Sequence, residues 1–197
     1  MNSFAPTEGR WALLRPLYPT DVELLFNAEV ARSNWWRLRG KTPSAGEYDA
    51  ILAMNVEVQF MICARAAPHT PLGLVAAYSM DTRNGHCYLA VMRVGDEQGI
   101  PKAMVEGLGM FLDYIFLGWP VRKIFAETDS VAVSGWSSTM GRLFETEAVL
   151  ANYYYYGGSY IDKIIASASK DRWMKFRDKL GFAQLYDSGG QEVGVPS

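Results

Sequence analysis

The chain has 197 residues, of which 49% are hydrophobic, and this is enough apolar surface for the core of one domain. Its formal net charge of −2 gives no electrostatic reason to expect a nucleic-acid or membrane partner, and no Cys–His cluster predicts a metal site. No apolar run approaches the roughly 18 residues of a membrane span, and the N-terminus lacks a secretory-signal pattern. We therefore expect a cytoplasmic protein with Cys63 and Cys87 as reduced core thiols.

The first part of the sequence predicts a strand followed by two helices. Residues 11–17 (WALLRPL) are typical of a short strand that ends at its proline. Thr20 or Asp21 is suited to cap the helix that follows, which carries an apolar face. Ser44 followed three residues later by Glu47 is a capping-box pattern, so a second helix is predicted to begin there.

Three β-rich runs come next, at residues 58–64, 72–80 and 86–94. The separators APHTP and DTRNG are typical of hairpin connections, and Asn84-Gly85 is a strong turn signal. These runs predict three antiparallel strands in a meander.

A polar loop, GDEQGIPK, joins the strand at 86–94 to the strongest helical pattern of the chain, at residues 101–118. Gly118 and Pro120 are expected to end that helix. The first turn of a helix leaves backbone N–H groups unpaired, and its dipole favours negative charge. Strand, loop and helix together therefore predict an anion-binding site.

The last part of the chain predicts a strand at 121–127, a weak helix at 131–144, a hairpin of strands 147–155 and 160–168, and a closing helix at 171–180. The helix at 101–118 is a crossover between its two flanking strands, which makes them parallel neighbours. The order β-α-α-β-β-β-α-β-α-β-β predicts a single α+β domain with a mixed, mostly antiparallel sheet. We place this domain at residues 10–180, between a flexible N-terminus at 1–9 and a C-terminal tail at 181–197.

Three stretches carry a family resemblance: LLRPLYPTDVELLF, GLVAAYSMDTRNGHCYLAV and FETEAVLANYYYYGGSYIDKIIASASKDRW. In this order they resemble the GNAT superfamily of acyl-CoA-dependent N-acyltransferases, and most closely the branch of the ribosomal-protein N-terminal acetyltransferases. The resemblance covers residues 10–176 and implies the GNAT fold, with a parallel strand pair that splays apart. It also implies acetyl-CoA or another acyl-CoA as co-substrate, and an amine of a small molecule or a protein N-terminus as acceptor.

The resemblance also assigns the donor site. In GNAT proteins the loop after the fourth strand reads Arg/Gln-x-x-Gly-x-Gly/Ala, and its amides bind the CoA diphosphate. Pro101 stands where glycine is expected, which removes one N–H donor, and Lys102 is expected to add a charge near a phosphate. A backbone N–H near residues 90–92 is implied as the donor to the thioester oxygen, and Ser134 as a contact of the pantetheine arm. The donor-binding residues predicted in this way are Ala90, Val91, Met92, Val94, Gln98, Gly99, Ile100, Lys102, Ala103 and Ser134.

Acyl transfer to an amine needs a base for the amine and a proton for the leaving thiolate. The resemblance implies a carboxylate on the fourth or fifth strand as base, and because Tyr88 occupies the fourth-strand position, Glu127 is the first candidate. A solvent-facing strand end is the alternative for Glu127. A tyrosine is the implied proton donor, and Tyr154 is the candidate within the run Tyr153–Tyr156. Strand alternation lets at most two of these four tyrosines point inward, where a pocket wall is the alternative role.

The acceptor site is predicted at the connection between the first two helices, NWWRLRG, together with Tyr88. Trp35 and Trp36 would form aromatic walls, and the guanidinium groups of Arg37 and Arg39 would clamp a carboxylate. Packing of the two tryptophans on the domain is the alternative.

Two other functions stay open from the sequence. One is a GNAT-fold protein that binds a ligand or a CoA thioester without transferring its acyl group, which Pro101 favours. The other is an acyltransferase whose donor is a carrier-protein or aminoacyl-tRNA ester, although the net negative charge argues against tRNA. A homodimer is a further hypothesis, because exposed sheet edges in such folds often pair.

Overall fold

A computed structural model of the chain describes residues 7–31, 42–94, 102–136 and 139–179. Within them the elements are β1 (Ala12–Arg15), α1 (Pro19–Ala31), α2 (Ala45–Ala53), β2 (Val56–Ala64), β3 (Ala67–Asp81), β4 (His86–Arg93), α3 (Lys102–Gly118), β5 (Lys123–Asp129), a 3-10 helix (Ala132–Trp136), β6 (Glu145–Tyr156), β7 (Ser159–Ser169) and α4 (Lys170–Lys179).

All seven strands of the described residues belong to one sheet, in the order β1-β2-β3-β4-β5-β7-β6. Only β4 and β5 pair in parallel, and the other five pairs are antiparallel. The single α+β domain, the meander of β2 to β4, the parallel crossover and the final hairpin are thereby confirmed.

The two faces of the sheet carry separate apolar cores. On one face, Leu25 of α1 and Tyr48 of α2 pack against Met61, Leu74 and Met92 of the sheet. On the other face, helices α3 and α4 cover the larger cluster, which contains Phe111, Phe116 and Trp173. Residues of one strand alternate between the two clusters, as a pleated strand requires. Below, the first face is called the α1–α2 face.

A buried ion pair fixes the start of α1. The guanidinium of Arg15 donates to both carboxylate oxygens of Asp21, at 2.7 and 2.9 Å, and the N–H of Tyr18 donates to the same carboxylate. Helix α1 therefore begins at Pro19, before Thr20, and Asp21 accepts from the chain ahead of it instead of serving as the first cap. The hydrogen bond from Arg15 lowers the pKa of Asp21 below its ordinary value, although burial acts against it.

The second helix begins as its capping box predicts. The side chain of Ser44 accepts from the N–H of Glu47, and the Glu47 carboxylate accepts from the N–H of Ser44. This arrangement satisfies two backbone donors at the start of α2.

Helix α3 is joined to the start of β1 by a buried carboxylate. Glu106 is 1% exposed and accepts three backbone hydrogen bonds, from Arg10 at 2.9 Å and from Trp11 and Ala12 at 2.6 Å each. A Cβ atom on Gly9 would lie 2.6 Å from this carboxyl group, so only glycine fits there without moving it. The side chain of Glu106 thus positions β1 relative to α3.

Part of the N-terminal segment that we predicted as flexible is attached to β1. The carbonyl of Thr7 accepts from Leu14 at 2.7 Å, and the N–H of Gly9 donates to Ala12 at 2.8 Å. Residues 1–6 and the tail predicted at 181–197 lie outside the described residues.

A second buried carboxylate links α3 to α4. Asp113 is 1% exposed and accepts from the indole N–H of Trp173 at 2.8 Å, with Arg177 at 3.2 Å. Burial raises the pKa of Asp113 above its ordinary value, and both partners act against that rise.

Two further expectations from the sequence are wrong. Residues 131–144 do not form one weak helix: the 3-10 helix Ala132–Trp136 is followed by a turn in which Gly141 has φ +75° and Met140 bridges to Phe144. A residue in this left-handed conformation interrupts a right-handed helix.

The stretch APHTP is the beginning of β3 and not a hairpin connection, since the chain turns at Arg65 and Ala66. Its pairing to β2 is irregular, with register shifts around Cys63. Pro68 is exposed and Pro71 is half-buried, and both lie in this irregular part of the strand, where a missing N–H is tolerated.

Cys63 and Cys87 are buried and unpaired, as expected. In the described part of the chain, no helix is long and apolar enough to cross a membrane. No group of three or more potential metal ligands occurs among those same residues.

Candidate functional site

The parallel pair at the centre of the sheet opens toward one end. Strands β4 and β5 are paired from His86 and Lys123 as far as Leu89 and Ala126. Beyond that point β4 continues alongside β3, and β5 continues alongside β7 as far as Asp129. The two central strands therefore part and leave a gap between their carboxyl ends.

The backbone N–H of Val91 faces this gap. The N–H of Val94 donates to Leu72 of β3 at 2.8 Å, so the peptide groups of Met92 and Ala90 also face β3 by strand alternation. The N–H and C=O of Val91, between them, point to the other side, toward β5. Since β4–β5 pairing has already ended there, the N–H of Val91 has no strand partner in the described residues. We predicted an oxyanion donor near residues 90–92, and the register favours Val91.

The side chains of β4 divide between the two faces. Met92 packs in the core of the α1–α2 face, and Val91 packs against the core under α3. Ala90 and Tyr88 share the face of Met92 by alternation, and Val94 packs against the same core.

Across the gap, two predicted catalytic residues lie in one cluster on β5, β6 and β7. The ammonium group of Lys163 lies 2.7 Å from the Glu127 carboxylate and 5.1 Å from the ring centre of Tyr153. The ring of Tyr153 contacts that of Tyr154, with centroids 4.8 Å apart. Glu127 thus faces a lysine instead of open solvent, although its side chain is still 30% exposed.

The protonation of this cluster follows from its surroundings. Burial raises the pKa of Tyr154 above its usual 10.0, the nearby Glu127 charge raises it further, and Lys163 acts against both. Burial opposes the charge of Lys163, but the hydrogen bond and charge of Glu127 outweigh it and raise the Lys163 pKa. At neutral pH the cluster therefore holds a protonated phenol and an ammonium group.

A bulge in β6 accompanies the position of Tyr154. The pairing of β6 to β7 shifts between Leu150 and Tyr154, where Asn152 has φ +54° and its N–H donates to Asp162 at 2.9 Å. A bulge re-aims the side chains that follow it. Tyr154 and Tyr156 are half-buried, whereas Tyr153 is exposed, in agreement with the expected alternation.

Asp129 ends β5 beside this cluster. It is 1% exposed, and its Oδ1 accepts from the N–H groups of Val131 and Ala132 at 2.9 and 2.8 Å. Its Oδ2 is buried without a hydrogen-bond partner. Asp129 therefore ends the strand and starts the 3-10 helix.

Tyr88, a predicted acceptor contact, belongs to a row of rings. Its ring centroid lies 5.5 Å from that of Tyr78 and 5.5 Å from that of Phe125, and His86 lies 5.8 Å from Phe125. These rings form an aromatic floor across β3, β4 and β5.

Three predicted donor-binding residues lie in helices. Lys102 is exposed at the start of α3, with its ammonium 5.6 Å from the ring centre of Trp11. Ala103 follows it and is buried in the core. Ser134 is exposed in the 3-10 helix, where its hydroxyl donates to the carbonyl of Val131 at 3.4 Å.

The other predicted site residues lie outside the described residues. They are Gln98, Gly99 and Ile100 of the diphosphate loop, and Trp35, Trp36, Arg37 and Arg39 of the predicted acceptor site.

Sequence reasoning missed Lys163 and Asp129. Lys163 of β7 lies opposite Asp129 of β5, two residues beyond Glu127, and this register brings Lys163 within reach of Glu127. The order of the elements along the chain does not determine the register. Asp129 could have been found from its place at a strand end, three residues before the alanine whose N–H it accepts.

The strand order, the central parallel pair and the gap define a GNAT-type acyltransferase fold. Solved structures agree with this description. A GCN5-related N-acetyltransferase from Brucella melitensis is similar with a TM-score of 0.68 and 20% identity, covering 96% of this chain and 90% of that one. A spermidine N-acetyltransferase from Vibrio cholerae, in complex with CoA and spermine, gives a TM-score of 0.66 and 20% identity, covering 83% and 98%.

A probable acetyltransferase of the GNAT family from Chromobacterium violaceum gives a TM-score of 0.66 and 18% identity, covering 88% and 90%. No protein-family model matches the sequence, and no curated protein sequence matches it. At these identities the likeness establishes the GNAT fold, which confirms the fold that the resemblance implied.

Proposed function

We propose that the chain is an acyl-CoA-dependent N-acyltransferase, most simply an N-acetyltransferase. The observation that carries the proposal is the gap between β4 and β5, with the N–H of Val91 directed into it. A peptide donor fixed in a strand is already oriented before the reaction begins, which is what stabilisation of a developing oxyanion requires. The fold that the chain shares with acetyltransferases supports the same function.

Acyl-CoA would supply an acyl group activated as a thioester. The residues of the chain fit such a donor in two places. Val91 offers its N–H to the thioester oxygen within the gap. Lys102, at the exposed start of α3, offers a positive charge and a helix N-terminus to a phosphate.

Two side chains beside the gap are suited to move the protons. Glu127 would accept the proton of the attacking amine, directly or through water, while Lys163 keeps the carboxylate in place. Tyr154 would donate its phenolic proton to the departing thiolate, since its raised pKa keeps it protonated at neutral pH. One proton leaves the amine and one reaches the sulfur, so the exchange balances.

We propose a small-molecule amine or a protein N-terminus as acceptor. Tyr88 and the aromatic floor on the α1–α2 face support an acceptor on that face of the sheet. One protein of similar fold is a spermidine N-acetyltransferase, which supports the small-molecule amine. The likeness to the ribosomal-protein branch and the roles of Trp35, Trp36, Arg37 and Arg39 stay predictions.

Calorimetric titration with CoA, acetyl-CoA and longer acyl-CoAs tests the donor, and thiol release with a panel of amines tests transfer. We expect acetyl-CoA to bind and at least one amine to release CoA. Failure of every acyl-CoA to bind at millimolar concentration would sink the proposal. Binding without turnover on the whole panel would favour a CoA-binding protein instead.

A further inference from the structure

The buried carboxylates of the described residues differ in how their charge is compensated. They are Asp21, Glu29, Glu106, Asp113 and Asp129. Asp21 and Asp113 lie beside arginines, Glu106 accepts three backbone N–H groups, and Asp129 accepts two. Glu29, on α1, is 6% exposed, and the one described group from which it accepts is the hydroxyl of Tyr48.

Glu29 therefore holds a carboxylate for which the described residues supply no cation. Its Oε2 accepts from Tyr48, and its Oε1 accepts no hydrogen bond from a described residue. Glu29 as a whole is 6% exposed. Burying a carboxylate without a cation or several donors is costly, and a bound cation would remove that cost.

The place of this carboxylate indicates which cation it takes. The hydroxyl of Tyr48 lies 3.9 Å from the sulfur of Met92. Met92 follows Val91 on β4, and its side chain lies on the α1–α2 face. Glu29 and Tyr48 thus lie over β4 at the level where the strand leaves β5, on the face where the acceptor is proposed to enter.

We infer that Glu29 binds an ammonium group of the acceptor other than the attacking amine and makes the site selective for cationic alkylamines, with Tyr48 as the residue that positions its carboxylate. This inference rests on the proposed function, which supplies the amine acceptor. Tyr48 is well placed for that role, because its ring is 1% exposed and packs edge-on against Phe26, with centroids 5.5 Å apart. The fixed ring directs its hydroxyl at one carboxylate oxygen and leaves the other for the amine.

The test compares 1,4-diaminobutane with 1,4-butanediol, an uncharged analogue of similar length. Dissociation constants are measured by calorimetry, and the rise in Tm with ligand concentration gives a second readout. Glu29→Gln keeps the shape and an acceptor for Tyr48 but removes the charge. Glu23→Gln makes the same change at an exposed position of the same helix and is the matched control.

We expect wild type and Glu23→Gln to bind the diamine equally and Glu29→Gln to bind it about tenfold more weakly or worse, as for a lost charged contact. The diol should not distinguish the three proteins. Tyr48→Phe keeps the ring and should weaken the diamine about two- to fivefold without affecting the diol, so it serves if Glu29→Gln does not fold. Equal diamine binding by Glu29→Gln and wild type, or no binding to wild type at about 20 mM, overturns the inference.

The experiment uses no acyl-CoA, so the two proposals fail separately. Diamine binding that depends on Glu29, in a protein that binds no acyl-CoA, would refute the proposed function and leave the amine site standing. Acyl transfer with a diamine affinity indifferent to Glu29→Gln would do the reverse.

Discussion

Replacing Glu106 should weaken the whole domain, because its carboxylate connects α3 to the first strand. It accepts from the N–H groups of Arg10, Trp11 and Ala12 within 2.9 Å and is 1% exposed. Glu106→Ala removes all three acceptors at once. Glu106→Gln keeps the size but replaces one accepting oxygen by an NH2 group, which cannot accept from a backbone N–H.

The magnitude follows from how well water can replace the lost acceptor. The hydrogen bond of Ala12 is buried, whereas those of Arg10 and Trp11 are only part-buried. A hydrogen bond to a charged group contributes about 1.5–3 kcal/mol, and the two part-buried donors can turn to water. Offset by relief of a buried carboxylate, the free energy of unfolding should fall by about 3 kcal/mol for Glu106→Ala and about 1.5 kcal/mol for Glu106→Gln.

Equilibrium urea unfolding followed by far-UV circular dichroism measures these values. For a chain of this size, the alanine variant should also show a Tm lower by about 6–12 °C. Glu23→Ala, at an exposed position of α1, is the control and should change the free energy of unfolding by under about 0.5 kcal/mol. A free energy of unfolding for Glu106→Ala within about 1 kcal/mol of wild type, or a glutamine variant as unstable as the alanine variant, would contradict this role of the carboxylate.

Other variants test the site and the buried charges. Glu127→Gln should lower kcat about 100-fold and leave the affinity for acetyl-CoA unchanged. Glu147→Gln breaks the pair of Glu147 with Lys123 of β5 and is the control, whose kcat should equal that of wild type. Equal kcat values for the two variants would exclude Glu127 as the base. Tyr154→Phe should also lower kcat by about 100-fold, and an unchanged kcat in this variant would contradict the proton-donor role. Because the pKa of Tyr154 lies above 10.0, the activity of the wild type should not decline through loss of this proton below pH 10. The raised pKa of Asp113 means that its stability contribution is fully present below pH 3.8 and is lost as pH rises, so the advantage of wild type over Asp113→Asn in urea unfolding should shrink from pH 4 to pH 7. The lowered pKa of Asp21 gives the opposite dependence on pH: its contribution to stability is present above pH 3.8 and lost as pH falls. The stability advantage of wild type over Asp21→Asn should therefore shrink toward pH 3. The same pH trend for the Asp113 and Asp21 variants would show that the assigned causes are wrong.

The local parts of the fold were accessible from the sequence because each has a local cause. Ser44 and Glu47 form the capping box that starts α2, and Asn84-Gly85 closes the hairpin between β3 and β4, with Gly85 at φ +71°. These signals act over a few residues, so they survive without knowledge of the tertiary structure. The prediction for APHTP was wrong because its prolines are a local signal for a turn, whereas its strand conformation depends on pairing with β2.

The candidate site was less accessible, since its contacts join distant parts of the chain. Glu127 was a candidate from the sequence, but its partner Lys163 depends on the register of β5 and β7. The pairing of Glu29 with Tyr48 joins two helices, and Val91 is singled out by the direction of its peptide group. Neither the register of two strands nor the direction of a peptide group can be predicted from residue types alone.

The gap between β4 and β5 affects which amino-acid substitutions the protein tolerates. The donor that we propose there belongs to the main chain, so every residue except proline at position 91 would supply the same N–H. Substitutions can therefore accumulate around the opening while the opening itself persists. Solved structures of the same fold are 18–20% identical to this chain.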